Sequence, residues 1–444
     1  MRRSLMLLAL LVPATRASAA PLTADEAVKI ALLHNSQIVQ AQAGRLTAKS
    51  SMWSAYSGVL PNVAVSGSRA GSKTDSTIVT ESNTLGSSGT QYDNRSYSTT
   101  AGISGSWGFL NLSNWSNWSA AKQGVRSADF SYAATRADVV LATKRQFYTV
   151  VQSMHLAVVN AQALKVARDS ERRVRAMYEV GSVSKSDLLN AEVTTSQAQL
   201  DSLTAIDDVT NQRVLLAQQI GVPESQLAEV DSSLSATLQP VDPVQVLQEA
   251  RTRRPDVAAA EADVKSADLD LRAARWARLP YLGLSGSYTP KSTSYQAGSP
   301  NPDGSGSLFS TTERDHTSSG TISVNLPIFD GLITDSRVAS ARARTLTSHE
   351  TRDALLRNLE GEVHQAVLAY NEAFERIDLA QRSVDAAAEN QNLVQQKYNV
   401  GSATILDLIN SQVQLQRAQS TLVSAQAAVR IAEAQLDQVR GRSQ

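Results

Sequence analysis

Residues 177–190 read Met-Tyr-Glu-Val-Gly-Ser-Val-Ser-Lys-Ser-Asp-Leu-Leu-Asn, and residues 397–410 read Lys-Tyr-Asn-Val-Gly-Ser-Ala-Thr-Ile-Leu-Asp-Leu-Ile-Asn. Extending this pair without gaps to 177–221 over 397–441 gives 15 identities in 45 positions, among them Tyr178/Tyr398, Val180/Val400, Gly181/Gly401, Ser182/Ser402, Asp187/Asp407, Leu188/Leu408, Asn190/Asn410 and Gly221/Gly441. Upstream, an offset of 219 aligns Leu60-Pro61 with Leu279-Pro280 and Ser66-Gly67-Ser68 with Ser285-Gly286-Ser287. The chain is therefore expected to be a duplication: repeat 1 at 20–222, a linker at 223–243 and repeat 2 at 244–444. Within the quoted stretches the glycine reads as a helix-ending residue, because glycine accepts the left-handed conformation that closes a helix. Ser184-x-x-Asp187 and Thr404-x-x-Asp407 then read as capping boxes that restart one. Each repeat thus holds a helical hairpin, with turns at 180–186 and 400–406.

Working outward, each repeat opens on a helix start, Thr23-Ala-Asp-Glu26 in the first and Asp242-Pro243 in the second. A helix of about 35 residues is expected to run from each to Pro61 or Pro280. Beyond the prolines the pattern changes to alternation, at Val63 and Val65 and again at Ile103, Gly105, Trp107 and Phe109. Leu282, Leu284 and Tyr288, then Ile322, Val324, Leu326 and Ile328, do the same in the second repeat. These runs predict β-hairpins over about 62–110 and 281–328, with strands of about ten residues and Ser/Thr/Gly-rich loops between them. Heptad seams follow: Leu356, Val363, Tyr370 and Ile377 against Leu359, Ala366, Ala373 and Ala380, then Leu408, Leu415, Leu422 and Val429 against Ser411, Ala418, Ala425 and Ala432. Large residues facing small ones are the pattern of closely approaching coiled-coil helices. A helix from about 332 to 397 would reach roughly 100 Å at 1.5 Å per residue, too long for a compact bundle.

Composition narrows the function. The 444 residues carry 42 Lys+Arg and 42 Asp+Glu, without the basic surplus that a nucleic-acid binder needs. No cysteine is present, which excludes disulfides, thiolate chemistry and an acyl-anchored N-terminal cysteine. The five histidines do not cluster, and Glu360 with His364 on one helix lacks a third ligand, so no metal, cofactor or catalytic activity is expected. Arg2-Arg3, the apolar run Leu5–Val12 and Ala17-Ser18-Ala19 read as a secretory signal peptide over 1–19, whose removal leaves a net charge of −3. No later window is apolar enough for a spanning helix, so any membrane crossing is by strands. Four strands cannot close a barrel, and an open sheet edge is not tolerated in lipid, so subunits must pool them. Trp53, Trp107, Phe109, Trp115, Trp118, Trp276, Tyr281 and Phe329 lie near the strand-to-helix junctions, as residues of a lipid interface do.

With its two-repeat plan, Leu-Pro hairpin entries, the Pro327-Ile-Phe-Asp-Gly331 segment and both Val-Gly-Ser turns, the chain resembles the TolC family of outer-membrane efflux and secretion channels over nearly its whole length. The resemblance implies a mostly α protomer that gives four strands to a trimeric 12-stranded β-barrel, continued by a long α-helical coiled-coil barrel across the periplasm of a Gram-negative bacterium. It implies a homotrimer, contact with outer-membrane lipid, and an exit duct for efflux or type I secretion. A periplasmic adaptor from an inner-membrane transporter is expected to dock at the turns, on Tyr178, Val180, Gly181, Ser182, Val400, Gly401, Ser402 and Leu408. In the family's best-known form, an arginine two residues past the second glycine and a tyrosine three before it latch adjacent hairpins through an aspartate. Tyr398 and Asp187 match that pattern, but Ala403 replaces the arginine. The pore constriction maps to Asp407 and Asn410, where three crowded carboxylates would favour cations and have raised pKa values. The rival reading, a surface filament or adhesin-like coiled-coil protein, fits the helices but neither the leader nor a hairpin in each repeat.

Overall fold

A computed structural model describes residues 21–80, 88–234, 241–299 and 307–442; the expected leader lies outside the described residues. Eight helices and four strands follow one another among them. Repeat 1 holds α1 (Ala24–His34), α2 (Ser36–Ser57), β1 (Asn62–Thr80), β2 (Ser88–Leu110), α3 (Leu112–Glu179) and α4 (Lys185–Ile220). A 3-10 turn at Glu224–Gln226 precedes α5 (Pro243–Arg253), α6 (Pro255–Trp276), β3 (Tyr281–Ser299), β4 (Ser307–Asn325), α7 (Ile333–Asn399) and α8 (Ile405–Val439). None of the described helices is long and apolar enough to cross a membrane. The chain divides into two compact units, one of Leu46–Ser127 with Ala260–Thr351 and the other of the remainder.

The single opening helix expected in each repeat is in fact two. In repeat 1 the break is Asn35, whose backbone is extended (φ −66°, ψ 131°). Its Oδ1 accepts from the Gln37 N–H at 2.8 Å, and its Nδ2 donates to the Gln219 carbonyl at 2.7 Å. In repeat 2 Pro255 forces the break, since it has no N–H and disfavours the helical conformation at the residue before it. Arg254 is accordingly extended. Each break receives the glycine that ends the repeat's last helix. A Cβ on Gly221 would lie 2.5 Å from the His34 carbonyl oxygen, and one on Gly441 2.9 Å from the Arg253 carbonyl carbon. Buried Arg254 is held by both carboxylate oxygens of Asp256, at 3.0 and 2.6 Å, and by Glu362 at 2.6 Å.

Two equivalent cores follow from this arrangement. In repeat 1, Ala27, Ala31 and Ile38 pack with Val139, Phe147, Val150 and Val151 of α3 and Leu216 and Ile220 of α4. In repeat 2, Val246, Ala250 and Val257 pack with Leu359, Val363, Ala366 and Tyr370 of α7 and Val429, Leu436 and Val439 of α8. The heptad residues thus supply the buried faces. Part of the expected linker is itself built into the first core: Leu227 and Val230 are buried there, and Val230 pairs with Leu22 in a parallel bridge. Residues 235–240 of that linker lie outside the described residues.

The four strands form one antiparallel sheet in the order β1-β2-β3-β4, so the two hairpins lie side by side through β2 and β3. At 19, 23, 19 and 19 residues they are about twice the expected length. The Ser/Thr/Gly stretches read as loops belong largely to the ladder, which backbone groups hold without needing a buried face. β4 ends at Asn325, leaving Leu326 and Ile328 outside it, because Pro327 cannot donate to a ladder. Constant register puts Val63, Val65, Ile103, Trp107, Leu284, Tyr288 and Ile322 on one face. Ser66, Ser104, Ser106, Ser285, Ser287, Ser319 and Thr321 occupy the other. Among the described residues, β1 and β4 each keep one edge without a strand partner.

Candidate functional site

Both helical hairpins turn through the same local chemistry. α3 closes when the Ser182 N–H reaches the Met177 carbonyl at 2.8 Å and the Gly181 N–H reaches that of Tyr178 at 2.9 Å. α7 closes identically, Ser402 to Lys397 at 2.8 Å and Gly401 to Tyr398 at 3.0 Å. This pair of bonds satisfies helix-end carbonyls and demands a left-handed residue, and Gly181 and Gly401 have φ of 76° and 78°. A Cβ at either would meet nothing within 4 Å, so glycine is needed there for its backbone and not for space. The next helices start on reciprocal caps. Asp187 accepts from the Ser184 N–H and hydroxyl at 3.1 and 2.7 Å, and Asp407 from those of Thr404 at 2.9 and 2.7 Å.

Between the turns lies a small core of Val174, Ala191, Ile405 and Leu408, with Val183, Leu188, Val394 and Tyr398 packed against it. Leu408 was expected on the docking surface, but it has no exposed area. It is one of the side chains that pack the two hairpins together, and burial removes it from any surface contact. Tyr178, Val180, Ser182, Val400 and Ser402 are exposed as expected, with Val180 and Val400 more than three-quarters so.

The expected gate residues are not all in mutual contact. Tyr398 is half-buried and directs its hydroxyl to Met177 Sδ at 3.7 Å; no hydrogen bond joins it to Asp187, whose carboxylate is engaged by Ser184. Burial pushes the Tyr398 hydroxyl pKa up, while the positive charge of Arg173 pulls it down and the negative charge of Asp187 adds to the rise. Arg173 escaped the sequence reading; its only signal there was its spacing of four residues from Met177, which places both on one face of α3. Asp407 and Asn410 are exposed. Within one chain Asp407 has a lowered pKa, chiefly from the Thr404 hydroxyl bond and then its backbone N–H, opposite to the rise expected of crowded carboxylates. That rise requires neighbouring copies, whereas the capping bonds exist in each chain.

The aromatic residues separate into distinct roles. Trp53, Tyr56, Trp118 and Trp115 form a chain of ring contacts with centroids 5.1–6.1 Å apart. Trp107 meets Phe109 in a tilted ring contact with centroids 5.6 Å apart and donates from its indole nitrogen to the Val59 carbonyl at 2.9 Å. Trp276 lies under Arg272, and Tyr281 and Phe329 are exposed, Phe329 by 81%. The Pro327–Gly331 segment launches α7: Asp330 accepts from the Thr334 backbone N–H at 2.9 Å and from its hydroxyl, which lowers the Asp330 pKa.

A duplicated chain that joins paired coiled-coil hairpins to an open-edged sheet, apolar on one face and lined by hydroxyls on the other, has the architecture of an outer-membrane channel protomer. The comparisons narrow that class. The family model for "Outer membrane efflux protein" matches residues 27–222 and 246–442, one segment in each repeat, and the chain belongs to that family. The family is one of outer-membrane channels, not of enzymes, and it places the chain in the outer membrane of a Gram-negative bacterium. The chain is 23% identical to the outer membrane protein TolC of Escherichia coli strain K12 over 333 residues, 74% of this chain and 66% of that protein. It is 25% identical to the outer membrane efflux protein BepC of Brucella suis over 67% of this chain and 61% of that one. The match thus spans just under two thirds of these relatives' length. In fold it is similar to the crystal structure of the VceC outer membrane protein of Vibrio cholerae, with a TM-score of 0.75 over 94% of this chain and 96% of that one at 18% identity.

Proposed function

We propose that three copies of this chain form a passive outer-membrane duct, each giving four strands to a 12-stranded barrel, and that the duct serves as the exit of a tripartite efflux or type I secretion system. The observation that carries this reading is the sheet: two edges without a strand partner among the described residues, one apolar face and one face of serines and threonines. In lipid the edges must be paired, and head-to-tail closure with further copies pairs both while turning the hydroxyl face onto a wet lumen. Exposed Tyr178, Val180, Gly181, Ser182, Val400, Gly401 and Ser402 offer two like-shaped turns per chain to a periplasmic adaptor. A ring of Asp407, with Asn410 one helical turn on, sets cation preference at the closing end, and Tyr398 with Asp187 contributes to closure.

The test is reconstitution. The purified protein should migrate as a detergent-stable trimer and conduct ions in planar bilayers, and Asp407→Ala should lower the cation/anion permeability ratio. A soluble monomer without conductance would refute the duct, and an unchanged ratio in a conducting variant would refute the role of Asp407. Crosslinking from Ser182 or Ser402 that captures no adaptor would remove the docking assignment.

A further inference from the structure

The duplication is kept in the sheet to the residue. In the first hairpin Ser66 faces Gly102 and Ala64 faces Ser104; 219 residues on, Ser285 faces Thr321 and Gly283 faces Ser323. The two hairpins thus share one register and differ in what lies beside them. β2 has β3 along its outer edge, in a seam that sets Ser104 against Ser287, Gly105 against Gly286 and Trp107 against Leu284. β4 is the counterpart of β2, yet among the described residues no strand lies along its outer edge. β1, the counterpart of β3, is open on the side where β3 meets β2.

Exposure measures the missing neighbour. At the seam Ile103, Leu110 and Leu284 are 47, 46 and 44% exposed, whereas their counterparts on the open edges, Ile322, Phe329 and Val65, are 73, 81 and 81% exposed. Ile103 and Ile322 are the same residue in the same register, so the difference comes from their surroundings: β2 has a strand on both sides and β4 on one. The irregularity of the seam is repeated as well. Between Trp107 and Leu110 the pairing slips, so that Leu110 faces Leu282, and the residue of β2 inside that slip, Gly108, has Pro327 as its counterpart. Proline has no N–H to give and is tolerated at edges and bulges, so Pro327 stands where a ladder asks least of it.

Building on the duct reading above, we propose that β4 of one copy pairs antiparallel with β1 of the next in the register of the β2·β3 seam, setting Ser323 against Ser68, Val324 against Gly67, Leu326 against Val65 and Phe329 against Val63 of that next copy. The contact is head-to-tail, so each copy carries both halves of it and a closed ring leaves no edge. The most exposed apolar residues of the two edges then meet on one face and the serines on the other. A one-residue slip would turn every side chain to the wrong face; a two-residue slip keeps the faces and is what the test must exclude. The chain contains no cysteine, so introduced pairs report alone. In the full-length detergent-solubilised oligomer, Ser323→Cys is combined in turn with Ser66→Cys, Ser68→Cys and Ala70→Cys, oxidised, and separated under denaturing, non-reducing conditions. S104C/S287C, the same contact inside one chain, is the reference, scored by loss of free thiol. S323C/S68C should link copies covalently with a yield like that of the reference, and Val324→Cys with Gly67→Cys, the adjoining pair on the other face, should do the same. The other two combinations should give roughly tenfold less, because a two-residue offset puts the Cα atoms about 8 Å apart, beyond the ~7 Å that a disulfide spans. Stronger linking of S323C to S66C or A70C, equal linking of all three, or no link in an assembled, conducting oligomer would overturn the register. If S104C/S287C closes while the wild type stays a lone chain without conductance, the duct reading itself has failed, a result that no linking pattern in an assembled oligomer can imitate.

Discussion

The two helical turns share a closing glycine, a capping hydroxyl and an acceptor aspartate, yet they are used differently. In the first, Tyr178 is exposed and Leu188 only partly buried; in the second, Tyr398 is half-buried on Met177 and Leu408 is fully enclosed. Backbone chemistry is local and was copied with the sequence. Side-chain burial depends on what stands opposite, and within one chain the second turn has the first hairpin against it. Duplication thus preserved the turn while allowing its two copies to diverge into a packed partner and an open one.

Truncating the two leucines should separate the copies most. Leu408→Ala should lose about 2–5 kcal/mol of stability, as for other enclosed leucines, and Leu188→Ala clearly less; equal losses in chemical denaturation would mean that assembly buries both alike. Glycine substitutions should instead treat the turns equally. Gly181→Ala and Gly401→Ala should each cost about 1–2 kcal/mol for the left-handed backbone alone. Gly221→Ala should cost about 2–4 kcal/mol, because its Cβ also collides with the His34 carbonyl. A Gly221→Ala cost no larger than the other two would show that the break at Asn35 yields easily.

The caps should likewise behave as a pair, with Ser184→Ala and Thr404→Ala each costing about 1 kcal/mol. For Asp407 the capping bonds lower the folded-state pKa, so its stabilising contribution is present above the unfolded value and is lost as pH falls through the lower, folded one. Thermal unfolding of Asp407→Asn against wild type should therefore differ at neutral pH and converge in acid below the usual carboxylate range. A gap that persists there would assign the effect to something other than ionisation. The smallest change is expected from Tyr398→Phe, a few tenths of a kcal/mol, since a bond to a thioether sulfur is weak; a loss above about 1 kcal/mol would reveal a stronger partner supplied by another copy.

Much of the architecture was legible because its causes are local or periodic. Gly181, Gly401, Ser184 and Thr404 announce turns and caps within a few residues, and the heptad seams name the buried faces of α7 and α8. The break at Pro255 carried a signal in that proline, although one helix was expected to run through it, whereas its counterpart at Asn35 carried none, because that residue is held by the distant Gln219 carbonyl. The length of the strands was hidden for another reason. A ladder whose faces both lie outside a core needs no alternation of apolar residues, so Ser66 to Gly71 carry no strand signal although every one of them is paired. Arg173 was invisible as a neighbour of Tyr398, since nothing in a linear spacing of more than two hundred residues states which helix faces meet.

By itself the amino-acid order determined the duplication, the positions of the turns, the helix periodicity and the need for strands rather than helices in any membrane crossing, all of which rest on short-range sterics and on repeated patterns. Only the tertiary structure decided that Leu408 is interior, that Asp407 is a capped carboxylate within its own chain, and that the apolar and hydroxyl-bearing residues of four strands fall on opposite faces of one sheet. Those properties depend on which surfaces exclude water and which strands are in register, and both are set by contacts between residues far apart in the chain.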